Sequence, residues 1–198
     1  MFFEGKQAVS EWCRPAIAIN YFSQEQTPTL RTMKKFAVKK RHSIRKGQVA
    51  EVFRLLRDQI GEGVALFISD SIEILETSSE DLKFYLIGKK PLLMEYRGWI
   101  FPTVKGAIER PFPQRRIAVD AGAIPYVING ADVMRPGITR VSPDVRAQAP
   151  VQIVDERHGK PLAICLALLD APQIEQSTAG KMCKNVHFVG DEIWSVEF

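Results

Sequence analysis

The chain of 198 residues has little of what catalytic, secreted or membrane proteins usually display. Its three cysteines, Cys13, Cys165 and Cys183, are an odd, scattered set. That excludes a disulfide framework and fits a reducing compartment. The longest unbroken apolar run, Leu162 to Leu169, is eight residues, against the roughly 20 a membrane-crossing helix needs. No apolar core follows the opening MFFEGKQ, so no secretory leader is expected. The glycines fit neither G-x-G-x-x-G nor G-x-x-x-x-G-K-[ST], which argues against a nucleoside triphosphate loop. No G-x-S-x-G elbow is present. Cys183 and His187 stand four apart, but zinc needs four ligands. The remaining candidates are poor: Cys165 lies in an apolar run, His158 in a turn and His42 in a basic segment. Asp120 has no histidine or second carboxylate nearby to activate it, and reads as a cap on a helix start rather than a base. No catalytic residue, metal or cofactor is expected.

What is present is positive charge, unevenly placed. The formal net charge is only +4, yet Met33 to Ile60 holds nine basic residues: Lys34, Lys35, Lys39, Lys40, Arg41, Arg45, Lys46, Arg54 and Arg57. Only Glu51 and Asp58 oppose them. Such a run is either a solvated face or a nucleic-acid contact. Residues 1–32 are balanced in charge and without period. Met33 followed by KKFAVKKRH reads as a natural start, so this extension is either loose or a gene-model artefact. Val49, Val52, Phe53, Leu56 and Ile60 fall on one helical face, with Arg54 and Arg57 on the other. Gly61 and Gly63 end that helix. VALFISD, IEILET, KFYLIG and LLMEYRGWIF then read as strands. In PTVKGAIERPFPQRR, Pro111 and Pro113 argue against regular structure, and the domain boundary is placed after Arg115.

The second half opens on a strand, RIAVD, and then VDAGAIPYVINGADVMRPGITR. Ile124, Val127 and Ile128 form one face of a very short helix, with Pro125 in its first turn and Asn129-Gly130 as terminator. PVQIVDERHGKPLAICLALL reads as a hairpin turning at His158-Gly159. NVHFVGDEIWSVEF reads as a second, turning near Gly190. One helix with five or six short strands predicts a partly open barrel. Gly130 and Gly137 serve as helix stop and turn. Gly122, just before a helix N-terminus, permits close approach of an anion to free N–H groups. Lys105, Arg110, Arg115 and Arg116 precede the boundary, and Arg135 and Arg140 follow the short helix, so both halves are basic. Tyr126, Phe188 and Trp194 read as core.

DAGAIPYVINGADVMRPGI resembles the opening of a PUA domain, the RNA-binding module of pseudouridine synthases and archaeosine transglycosylases. The likeness rests on D-x-G-A at Asp120–Ala123, on Gly130, and on M-x-P-G-I at Met134–Ile138. With the upstream WIFPTVKGAIERPFPQRRIAVDAGA, the chain from Met33 onward resembles the malignant-T-cell-amplified-sequence and ligatin family and its archaeal relatives. The fold so implied is α+β: a mixed α/β pre-PUA domain over residues 33–115, then a PUA pseudo-barrel over residues 116–198. The family's groove would be lined by Gly122, Ala123, Arg135, Pro136, Gly137 and the last hairpin near Gly190. Arg116, Arg135 and Arg140 would meet RNA backbone, with Arg135 particular to this branch. Lys39, Lys40, Arg41, Arg54 and Arg57 would touch ribosomal RNA or protein.

The resemblance implies a cytoplasmic, monomeric, non-catalytic RNA-binding protein of translation. Its RNA would be tRNA or small-subunit rRNA, in initiation or recycling, with a translation-factor partner resembling density-regulated protein. The alternatives are a targeting subunit of an RNA-modification enzyme and a protein-interaction scaffold.

Overall fold

Residues 36–196 are described by the computed structural model; the extension over residues 1–32 lies outside the described residues. The chain begins as a meander. Strands β1 (Val38–Ser43), β2 (Glu73–Thr77), β3 (Leu82–Ile87), β4 (Lys90–Tyr96) and β5 (Trp99–Pro102) pair in sequence order, all antiparallel. Helix α1 (Lys46–Ile60) crosses from β1 to β2 and buries Val49, Val52, Leu56 and Ile60, as its apolar period predicts. The expected strand VALFISD does not form: Val64 to Leu66 end a 3-10 helix, Gly61–Leu66, and Phe67 to Asp70 are turn and irregular chain. Its apolar residues are too few for periodicity to separate helix from strand.

The proline-rich linker also holds a helix, α2 (Val104–Glu109), which the sequence reading missed. Thr103 caps it, its side-chain oxygen accepting from the Gly106 N–H at 3.0 Å. Only glycine fits at 106, because a β-carbon there would lie 2.0 Å from the Leu92 carbonyl oxygen. That contact presses α2 onto β4.

The second sheet is built from β6 (Arg116–Val119), β7 (Val133–Met134), β8 (Ile138–Val141), β9 (Pro150–Asp155), β10 (Pro161–Ala167) and β11 (Lys181–Phe188), in the order β7-β11-β10-β9-β6-β8. Its pairs are antiparallel except β6 with β9. The edge strands β7 and β8 are joined by the 3-10 turn Arg135–Gly137, so the sheet curls into a nearly closed barrel. Short helices α3 (Ile124–Val127) and α4 (Ala171–Gln176) pack on it through Val127, Ala171 and Ile174; α4 was not foreseen. The expected second hairpin does not form. After Gly190 (φ +92°) the chain runs through turns to Val196 with no returning strand. Asp191 holds those turns, accepting from the backbone N–H of Phe188 (3.0 Å) and Trp194 (2.8 Å).

The two sheets are not independent bodies. Ile164, Val186 and Ile193 belong to the core of the first. Wholly buried Gln152 on β9 donates to the carbonyls of Phe112 (3.0 Å) and Gln114 (2.7 Å), tying the linker to the barrel. Arg115 Nε donates to the Gln59 carbonyl at the end of α1, at 2.9 Å.

Candidate nucleic-acid interface

The residues after β6 fold back on themselves through short polar contacts. The Asp120 N–H donates to the Gly137 carbonyl (3.0 Å), and the Asp120 carboxylate accepts from the Ala123 N–H (2.8 Å). Asp120 thus closes the turn that leads into α3 rather than capping the helix itself, whose N-cap is Ala123 and carries no side-chain cap. Pro125 sits in the first turn of α3, and Gly130 (φ +82°) ends the segment in the left-handed region. Asn185 of β11 anchors the far end of α3 by donating to the carbonyls of Val127 and Ala131, both at 3.1 Å. Close approach explains two glycines. A β-carbon at Gly137 would lie 2.7 Å from the Ala123 β-carbon, and one at Gly130 would lie 2.8 Å from the Phe188 ring. Gly137 therefore lets the Met134–Ile138 turn lie against the start of α3.

The expected contacts separate on this frame. Gly122 is exposed, with only the Asp120 carboxylate, at 3.3 Å, near a β-carbon placed there. Pro136 is exposed and Ala123 half-buried. Gly190 makes a turn, with open space around it. Arg135 does not present a free guanidinium: its nitrogens donate to the carbonyls of Ser177 (2.9 Å), Ile138 (3.0 Å) and Glu175 (3.4 Å), stapling the turn to the end of α4. Arg116 is half-buried, and burial lowers its pKa; its Nη1 lies 3.9 Å from a β-carbon placed at Gly159. Arg140 on β8 is exposed and pairs with no carboxylate among the described residues.

The N-terminal cations divide in the same way. Lys39 and Lys40 on β1 and Arg57 on α1 are exposed and form no ion pair among the described residues. Arg41 is held by Glu73 (Nε to Oε2, 2.8 Å). Arg54 is held by Glu51 (2.7 Å) and Asp58 (3.4 Å). The cluster before the barrel does not act as one patch. Arg115 is buried in the linker, with its pKa lowered by desolvation. Arg110 donates to the Leu66 carbonyl and lies over Phe67, while Lys105 lies over Trp194.

Burial places Tyr126 against the core assignment that the sequence suggested. It is 69 % exposed, and Met134 (48 %) and Ile128 (37 %) are exposed too, on the elements that Gly137 brings together. The signal was available: a face made of Ile124, Val127 and Ile128 leaves Tyr126 opposite it. Phe188 and Trp194 are half-buried. Cys165 and Cys183 are buried in the barrel, and burial pushes the Cys183 thiol up to about 12. His187, wholly buried, is engaged by Asp191 through Nδ1 at 2.8 Å.

A barrel of this order, with a short helix after its first strand and a glycine turn against it, defines a PUA domain, and residues 115–189 match that family. Residues 40–110 match a domain of unknown function, DUF1947. An uncharacterized protein of Methanocaldococcus jannaschii is 31 % identical over 80 % of this chain and 97 % of its own length. Malignant T-cell-amplified sequence 1-B of Xenopus laevis is 30 % identical over 65 % of this chain and 67 % of its own. Translation machinery-associated protein 20 of Schizosaccharomyces pombe is 26 % identical over 75 % and 83 %. Among solved structures, a hypothetical protein of Pyrococcus horikoshii superposes with a TM-score of 0.71 at 30 % identity, covering 78 % of this chain and 97 % of that one. The chain belongs to the malignant T-cell-amplified-sequence family of PUA-domain proteins, together with its archaeal relatives.

No helix among the described residues is long and apolar enough to cross a membrane.

Proposed function

We propose that this is a non-catalytic RNA-binding protein of the translation apparatus, holding tRNA or small-subunit rRNA on the α3 face of its barrel. The observation that carries this reading is the exposed set Tyr126, Ile128 and Met134, lying between exposed Gly122 and Arg140 in the chain. Exposed aromatic surface beside unpaired cations is what single-stranded or loop RNA requires: bases stack on the ring, and phosphates meet the cations. Family membership supports the translation context, since relatives carry that word in their names. Arg140 takes the role of backbone contact, which positions without reading sequence. Arg135 and Gly137 hold the turn in shape, and exposed Gly122 leaves room for the RNA backbone to approach. Lys39, Lys40 and Arg57 supply a second cationic surface for ribosomal RNA. A separate translation-factor partner belongs to the same reading.

Filter binding of tRNA and of a small-subunit rRNA fragment, titrated with salt, tests it. Neutralising four to six phosphates predicts a log–log slope of roughly −3 to −4. A flat salt dependence, or unchanged affinity in Y126A/R140A, would remove the barrel face from RNA binding.

A further inference from the structure

Away from the α3 face, the structure holds a groove of about 580 Å³ between the β3–β4 turn, α2 and the C-terminal turns. Leu92, Ile108, Trp194 and Val196 give it apolar walls, and Lys89, Lys90 and Lys105 give it charge. The volume is in the range of a specific ligand site. We propose that this groove docks a short segment of a partner protein, an aliphatic side chain flanked by carboxylates.

Charge complementarity selects that occupant. Lys90 is answered by Glu109 at 2.8 Å, a pair on the groove's own lining. Lys89 and Lys105 have no carboxylate partner among the described residues, so the lining carries an uncompensated positive charge over apolar walls. Lys89 is moreover held at φ +65°, the second residue of a two-residue hairpin turn after Gly88 (φ +58°). Glycine or asparagine is the ordinary choice at that position; a lysine kept there displays an ammonium group at the mouth of the groove. An aliphatic anchor suits the walls better than a nucleobase does. The Lys105 ammonium already lies over the Trp194 ring, 5.5 Å from its centroid, where a stacking base would have to displace it. The walls otherwise offer Leu92, Ile108, Pro91 and Val196, which match a leucine or isoleucine. Trp194 is held in place by Asp191, which accepts its backbone N–H at 2.8 Å. The wall is therefore built by the fold and does not depend on the ligand.

A random heptapeptide display library, panned against the full-length protein, tests the proposal without presuming a partner. The expected result is enrichment of peptides with a leucine or isoleucine between acidic residues. A synthetic peptide of the enriched sequence should then quench Trp194 fluorescence. Its affinity should fall at least tenfold in K89E/K105E and fall with added salt. K89Q/K105Q, which removes charge without reversing it, should lie between the two, and circular dichroism should show both variants folded. Enrichment without acidic residues, binding indifferent to both variants, or no enrichment at all would overturn the proposal. So would tighter peptide binding in a chain ended at Val196, which would give the groove to the chain's own last two residues. An octauridylate that perturbs Trp194, with no effect from the acidic peptide, would assign the groove to nucleic acid instead. Each result is independent of RNA binding at Tyr126 and Arg140.

Discussion

The basic N-terminal layer and the α3 face of the barrel invert each other's appearance in sequence. The layer carries most of the visible charge, but Arg41 and Arg54 are answered by acids in the same layer, leaving Lys39, Lys40, Arg45, Lys46 and Arg57 without an ion pair among the described residues. The barrel face looks like turn chemistry and core, yet it exposes Tyr126, Ile128 and Met134 and leaves Arg140 unpaired. Net charge measures what a segment contains, and pairing decides what it offers to a polyanion. The two regions also hold themselves together differently. The layer uses surface ion pairs, which salt screens and which contribute little. The barrel uses backbone carbonyls and carboxylate caps at short range.

The largest effect should follow from crowding the barrel face. Gly137 has no left-handed torsion, so space alone requires it. G137V should destabilise the chain by about 2 kcal/mol through overpacking against Ala123. It should also weaken RNA binding more than any single cation removal. Urea unfolding and filter binding together check both, and a stable G137V with normal affinity would separate the turn from the site.

A smaller effect comes from acid. The Asp155 carboxylate accepts from the backbone N–H of Arg157 (3.0 Å), His158 (2.7 Å) and Lys160 (3.0 Å). Burial pushes its pKa up, but these donors outweigh burial and leave it below the usual carboxylate value. Because the folded value is the depressed one, its stabilisation is complete above the unfolded pKa and is lost as pH falls through the folded value. The β9–β10 turn should therefore loosen below about pH 4, and D155N should remove that acid dependence. Hydrogen exchange at Arg157 to Lys160 measures it. An N-terminal layer that loosened first would show that its ion pairs, and not the Asp155 cap, set the response to acid.

Sequence made the frame legible and the surface less so. The period of Val49, Val52, Leu56 and Ile60 announced α1, and Asp120, Gly130 and the Met134–Ile138 turn announced the barrel's opening. Helix α2 stayed hidden because Pro111 and Pro113 drew attention from the Thr103 cap just upstream. The last hairpin failed because alternation in NVHFVGDEIWSV says nothing about whether a partner edge is free. β11 has β10 along one side; on the other, β7 takes Lys181 to Cys183, and the Asp132 and Asp191 carboxylates take the N–H groups of Asn185 and Phe188. Arg135 could not be read as a staple, since two of its three carbonyl partners, Ser177 and Glu175, lie at the end of α4, far off in sequence. Ion pairing of Arg54 was legible in principle, because Glu51 and Asp58 stand three and four residues away on one helix.

Y126A should leave stability within about 0.5 kcal/mol, as expected for an exposed side chain away from special contacts. Its RNA affinity should fall about tenfold, a typical loss for one stacked base. Loss of stability instead would show that Tyr126 supports the barrel.

The smallest effects lie in the layer and decide whether it belongs to the interface at all. K39Q/K40Q should reduce the magnitude of the salt slope by about 1.4 to 1.8, one increment for each lost phosphate contact. R54Q alone is ambiguous, because it removes a cation and also uncovers Glu51 and Asp58. Neutralising those acids instead, in E51Q/D58N, keeps Arg54 and frees it from both ion pairs. If α1 lies on RNA, that variant should bind more tightly and with a steeper slope, by up to about 0.9. If α1 faces away, slope and affinity should stay as they are, and the contact in this layer would contract to β1. Helix stability should barely differ either way, since solvent and salt screen exposed pairs at these spacings. The binding change therefore reads the position of α1 on RNA and not the folding of the helix.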